Sequence, residues 1–122
     1  MTLLGVAVAG LIGAPARYLL DIAISARRGA MFPWGTFVVN VSGSLAMGVV
    51  TGLALYHGFP ATARAVLGTG FLGAYTTFST FAFETVRLVE DGAPAAAVAN
   101  MLGSLVAGVV AAAVGLALAA AF

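Results

Sequence analysis

The residues with the most chemistry to offer lie in a stretch without formal charge. Positions 70–81 read GFLGAYTTFSTF, in which two glycines and the hydroxyls of Thr76, Thr77, Ser79 and Thr80 sit among three phenylalanines. Glycine and threonine are poor helix formers. Each hydroxyl also brings a donor and an acceptor that hydrocarbon cannot satisfy. Gly68, Gly70 and Gly73, followed by Thr76-Thr77, therefore predict an interrupted helix whose freed backbone groups need other partners. Where helices break at membrane depth, those groups line cavities or bind ions: carbonyls coordinate cations and half-helix N-termini face anions. Beyond the break, Phe78 and Phe81 are three apart and share a face. An aromatic ring has a negative face and a positive edge, so ring edges and hydroxyl hydrogens suit a small anion stripped of water. A glycine-rich packing notch with two core phenylalanines fits the same spacing, and spacing alone does not choose between them.

Other polar residues extend the pattern. At 100° per residue, Thr36, Asn40, Ser44 and Thr51 fall within about 80° of one another on a helix. Asn40 is the sharpest of these, because a carboxamide in hydrocarbon needs partners for two donors and an acceptor; an interhelical hydrogen bond that glues helices is the competing role. Asn100, Ser104 and Gly108 repeat the i, i+4, i+8 device near the C-terminus, and Asn100 is expected near a membrane boundary, where water could solvate it. Glu84 with Arg87, and Arg17 with Asp21, have the spacing of interfacial ion pairs. Arg17 could instead present its charge to an anion at a pore mouth. His57, beside Gly58 and Pro60, reads as an exposed, inert turn residue.

The elements that must position these groups are membrane spans. The chain has 122 residues, 62% hydrophobic and 7% charged, with a mean hydropathy of +1.13, whereas about a quarter of the residues of a soluble domain are charged. Charges punctuate it into four runs, roughly Thr2 to Ile24, Trp34 to Leu55, 65–83, and Ala95 to the C-terminus. Runs of roughly 20 apolar residues match the bilayer core, so four transmembrane helices in a single domain, 1–122, are expected. The absence of a basic n-region argues against a signal peptide. With no cysteine, one histidine and four scattered carboxylates, neither thiolate metal sites nor a catalytic set can be assembled, and an enzyme is not expected. A net charge of +1 argues against nucleic-acid binding. Gly5-Ala9-Gly13, Ser44-Gly48-Gly52 and Ser104-Gly108 are small residues four apart that let helices approach closely, either within one subunit or between subunits. Loops one and three carry Arg27, Arg28 and Arg87 against Arg64 on the other side, a modest bias placing the N-terminus outside.

Three blocks, GAPARY (13–18), PWGTFVVNVSGS (33–44) and GFLGAYTTFSTF (70–81), resemble in order and spacing the signature blocks of the CrcB/Fluc fluoride ion channel family. The resemblance extends over essentially the whole chain, and its third block is the most specific. It implies an all-α integral membrane protein of the microbial cell (inner) membrane. Four-helix subunits, the third helix broken, would pair as an antiparallel, dual-topology homodimer that exports fluoride passively. It further implies a structural, non-transported sodium ion on the backbone carbonyls of Gly73 and Thr76 from both subunits. The pore phenylalanines fall on Phe78 and Phe81, the pore asparagine on Asn40 and the fourth-helix serine on Ser104. Thr36, Thr77, Ser79 and Thr80 become polar-track neighbours, and Arg17 sits near a vestibule. Two departures stand out: Asn100 or Gly108 replaces an expected aromatic or hydroxyl residue, and the arginine bias exceeds what dual topology favours. A proton-coupled small-multidrug-type exporter using Glu84, and a purely structural subunit, are the alternatives.

Overall fold

The structure is a computed structural model that describes residues 1–29 and 31–122. It is helical, with no strand among the described residues. Helix α1 covers Thr2–Arg28, α2 Trp34–Tyr56, and α6 Pro94–Ala120. These three are long and apolar enough to cross a membrane. The 23 residues of α2 rise about 35 Å, against a hydrocarbon core of about 30 Å. α1 runs four residues past the expected Ile24, ending in Arg27 and Arg28, where cations complement the negative end of the helix dipole. The Arg28 guanidinium lies 5.5 Å from the Trp34 ring centroid, a cation–π contact where the next span begins. Pro94 opens α6 at the position where a missing N–H costs nothing.

The segment between α2 and α6 is in two pieces. Its first arm comprises α3 (Ala61–Arg64), a π-helical stretch (Ala65–Leu72) and α4 (Gly73–Tyr75); its second is α5 (Ser79–Glu90). The interruption is thus present, but the glycines do not make it. Gly68 and Gly70 lie inside the π-helical turns, and the chain leaves helical geometry at Thr76, whose φ and ψ of −80° and 161° are extended.

Close approach of backbones holds the spans together. At Gly48 an added Cβ would strike the Ala112 carbonyl, and at Gly115 it would strike the Leu45 carbonyl, so α2 and α6 cross with main chain against main chain. On α1, Gly13 sits against the Phe71 carbonyl, and Gly70 reciprocates against Val6 and Ala9. The small-residue spacings in the first two spans therefore serve packing within the subunit. The remaining surfaces of α1 and α6 are apolar and outward: Leu11, Ile12, Leu105, Val106 and Val109 are all exposed, as a lipid-facing surface requires.

Candidate ion pathway

The break is held by one side chain. Asn40 donates from Nδ2 to the Thr77 carbonyl at 2.8 Å and accepts from the Thr77 amide on Oδ1, also at 2.8 Å. The carboxamide thus replaces the peptide partner that Thr77 lost when the helix stopped. Its second N–H remains free for the cavity that it borders. The Thr77 hydroxyl accepts from the Thr80 amide at 3.2 Å, the i, i+3 geometry of a helix cap, which starts α5. That hydroxyl donates to Thr80 Oγ1 at 3.0 Å, and Ser79 Oγ lies 3.4 Å away. Asn40 therefore joins α2 to the third segment, and does so at the broken backbone itself.

Those bonds leave two carbonyls without their helical donors. In an unbroken helix the Thr77 amide would bond the Gly73 carbonyl, and the Thr80 amide would bond the Thr76 carbonyl. Here the first goes to Asn40 and the second to Thr77 Oγ1. Upstream, the Leu72 carbonyl accepts both the amide and the hydroxyl of Thr76, at 2.9 and 3.0 Å. The Tyr75 and Ser42 hydroxyls meet at 2.8 Å, and Ser42 Oγ donates to the Val39 carbonyl at 3.1 Å, which ties the end of the first arm to α2.

A cavity of about 410 Å³ opens beside the break, lined by Asn40, Ser44, Thr76, Thr77, Phe78, Phe81 and Ser104, with Met47 and Leu105 among its apolar walls. Polar side chains from three spans thus converge with both rings. The ring centroids of Phe78 and Phe81 are 5.8 Å apart at 49°, so neither face covers the other. Phe78 is 79% exposed, so it is not a core residue of the subunit. A second, smaller cavity of about 150 Å³ is lined by Arg17, Tyr18, Asp21, Thr36, Val39, Thr77 and Thr80. Thr77 borders both. The expected pathway residues therefore fall into two adjoining groups, with Ser79 attached only through Thr77.

Several expectations need correction. Arg17 and Asp21 form no ion pair; the one salt bridge among the described residues joins Arg87 to Asp91 at 3.8 Å. Asp21 instead packs its carboxylate against Gly35 at the start of α2 and accepts from Ser25 at 3.2 Å. Glu84 does not pair with Arg87. Its Oε1 accepts from the Thr36 hydroxyl at 2.9 Å, while its buried Oε2 lacks a partner. Asn100 is not solvated: it is 1% exposed and donates to Thr85 Oγ1 at 2.8 Å. Its proximity to a span end in sequence misled, because α5 packs over that end of α6. Thr51, on the same face of α2, is exposed. His57 is exposed as expected, yet its Nε2 lies 2.7 Å from the Ala119 carbonyl near the end of α6. Thr85, Ser42 and Tyr75 carried no sequence signal beyond their hydroxyls.

The chain is similar to known proteins over most of its length. A family model described as CrcB-like protein, Camphor Resistance (CrcB), matches residues 4–116. A protein of Frankia casuarinae named fluoride-specific ion channel FluC 1 is 50% identical over 112 residues, 88% of this chain and 87% of its own. A Leifsonia xyli subsp. xyli protein of the same name is 47% identical over 116 residues, covering 95% and 85%. Fluoride-specific ion channel FluC 2 of Cutibacterium acnes is 46% identical over 119 residues, 97% of each chain. These matches do not support an exporter working through Glu84.

Proposed function

The chain belongs to the CrcB family, and from that premise we propose that it is a fluoride-selective passive channel of the cell membrane. The observation that carries this is the convergence of Asn40, Thr77, Phe78, Phe81 and Ser104 on one cavity beside a broken helix. Fluoride is small and strongly hydrated, so a narrow pore must replace its water with donors. The free N–H of Asn40 and the hydroxyl of Ser104 are such donors, and the edges of the two phenylalanines add weaker electropositive contacts. Thr77, Thr80 and Thr36 continue the polar lining into the smaller cavity, where Arg17 supplies positive charge. Larger halides accept hydrogen bonds more weakly and fit the same space less well.

The working unit in this reading is an antiparallel homodimer of dual topology. An exposed Phe78 and an exposed Gly73 support it, since both are surfaces that a second copy would cover. The carbonyls of Gly73 and Thr76 support the structural sodium ion. Oxygen donors suit a hard cation, these two have lost their helical amides, and two crossing subunits double their number. Such an ion locks the crossing and adds positive charge close to the anion paths. Reconstitution of the pure protein in liposomes, with fluoride and chloride efflux recorded in parallel, tests the proposal. Rapid fluoride efflux without a pH gradient is expected; chloride efflux at the same rate, or none of either, overturns it.

A further inference from the structure

One hydrogen-bonded chain runs from the cavity-lining Ser104 to two residues behind it, Asn100 and Thr85, that have no part in the pathway as described so far. It runs in a single direction. The Thr85 hydroxyl donates to the Phe81 carbonyl at 2.8 Å, and Asn100 Nδ2 donates to Thr85 Oγ1 at 2.8 Å. Ser104 Oγ then donates to Asn100 Oδ1 at 3.3 Å. Each link fixes the next. Because the Thr85 hydrogen is committed to Phe81, its oxygen accepts, and the Asn100 amide must present Nδ2 to it. The opposite end of the amide, Oδ1, then necessarily faces Ser104. Asn100 is 1% exposed and Thr85 9%, so water does not compete for these groups.

The consequence falls on Ser104, which lines the cavity. A serine hydroxyl has one hydrogen. With that hydrogen on Asn100, the oxygen shows only lone pairs to the cavity, a surface that repels an anion. The link is long, however, compared with the usual O–H···O distance of about 2.7–2.8 Å, so the hydrogen is weakly held. We propose that Asn100 is a positioning residue that holds the Ser104 hydrogen when the cavity lacks an anion and competes with fluoride for it. Fluoride draws the hydroxyl round on arrival, and Asn100 takes the hydrogen back as the ion leaves. A channel needs binding that is favourable enough to admit the ion and weak enough to release it, and an internal acceptor behind the donor supplies the weakness. This inference rests on the fluoride-channel reading.

The test measures maximal fluoride efflux and half-saturating fluoride separately, in liposomes containing the full-length protein. Asn100→Leu removes the competing acceptor. Half-saturating fluoride should fall about two- to tenfold, the equivalent of one ordinary hydrogen bond, while the maximal rate falls. In a Ser104→Ala background the same substitution should leave half-saturation unchanged. Thr85→Val offers a second route that leaves residue 100 alone. Without Thr85 to hold it, the amide can turn Nδ2 toward Ser104 and free the hydroxyl, so half-saturation should again fall. Thr85→Ser, which restores the hydroxyl, should return wild-type behaviour. A purely structural role would lower the rate without tightening fluoride binding, and would do so equally with Ser104→Ala. Unchanged or raised half-saturation in the assembled variants, or a fall that persists with Ser104→Ala, overturns the proposal. Absence of fluoride efflux from the wild-type protein would overturn the channel reading instead.

Discussion

Asn40 offers the sharpest perturbation, because its two hydrogen bonds face opposite ends of one residue's backbone. In Asn40→Asp, Oδ1 still accepts from the Thr77 amide, but an oxygen replaces Nδ2 at 2.8 Å from the Thr77 carbonyl. That carbonyl loses its donor and meets another acceptor. Thr77 is 9% exposed, and a buried backbone group left without a partner costs about 1–3 kcal/mol. At about 1.4 kcal/mol per factor of ten, the intact break is disfavoured roughly five- to 150-fold. A carboxylate would also repel fluoride, and that contribution must be separated. Asn40→Leu does so: it adds no charge, leaves both the amide and the carbonyl of Thr77 orphaned, and costs about 2–6 kcal/mol by the same reckoning. The assay is initial fluoride efflux from liposomes, with size-exclusion elution of the same preparations. Both variants should lose at least about fivefold in flux, the lower bound of that penalty, and elute unchanged. Wild-type flux in Asn40→Leu would refute the clamp. If the proposed dimer dissociates in either variant, the residue supports subunit association rather than only the break.

Phe78→Ile and Phe81→Ile keep apolar bulk but remove the electropositive ring edge, so each should lower fluoride efflux with assembly intact; unchanged flux in both would leave the rings as packing. Gly48→Ala forces a Cβ into the Ala112 carbonyl and should cost about 1–3 kcal/mol as overpacking, seen as a lower unfolding temperature in detergent. Gly103→Ala, with nothing within 4 Å of the added carbon, should be neutral in that measurement. Gly73→Ala should also be neutral to the subunit, since the nearest atom is the Gly68 carbonyl at 3.6 Å and the φ of −62° suits alanine. A loss of dimer or of fluoride flux in that variant would therefore report a partner across Gly73, and wild-type behaviour would argue against a close crossing there. Thr76→Val keeps the carbonyl and loses only the hydroxyl bond to Leu72, so flux within a few-fold of wild type is expected.

That ranking of Gly73 and Thr76 differs from what sequence alone suggests, and the reason is general to this chain. A glycine in a supposed break looks intolerant of a Cβ, yet Gly73 has ordinary helical angles and would bring that carbon only into ordinary contact with the Gly68 carbonyl. The tight neighbour is Gly43 on α2, which the Thr76 methyl group and the Tyr75 ring both approach. Four helical segments and the approximate place of the interruption were legible, because charge punctuation and helix-poor residues are properties of one segment; the ends were less so, since α1 runs on to Arg28 and the third segment reaches from Ala61 to Glu90. The π-helical turns were not, since glycine content does not reveal which carbonyl an amide will reach. Gly115 escaped notice because its crossing partner, Gly48, lies 67 positions away, and nothing local pairs them. Polar residues follow the same logic. Asn40 was conspicuous alone, but its meaning depends on Thr77, 37 positions on. Asn100 looked solvated because distance along a helix was taken for depth, whereas Thr85 from another arm covers it. In hydrocarbon every donor must find a protein acceptor. A polar residue in a span is therefore half of a pair, and the other half lies on whichever helix packs against it. Residue type reports that a partner is needed; only packing says which backbone or hydroxyl supplies it, and therefore whether the group holds the fold or faces the ion.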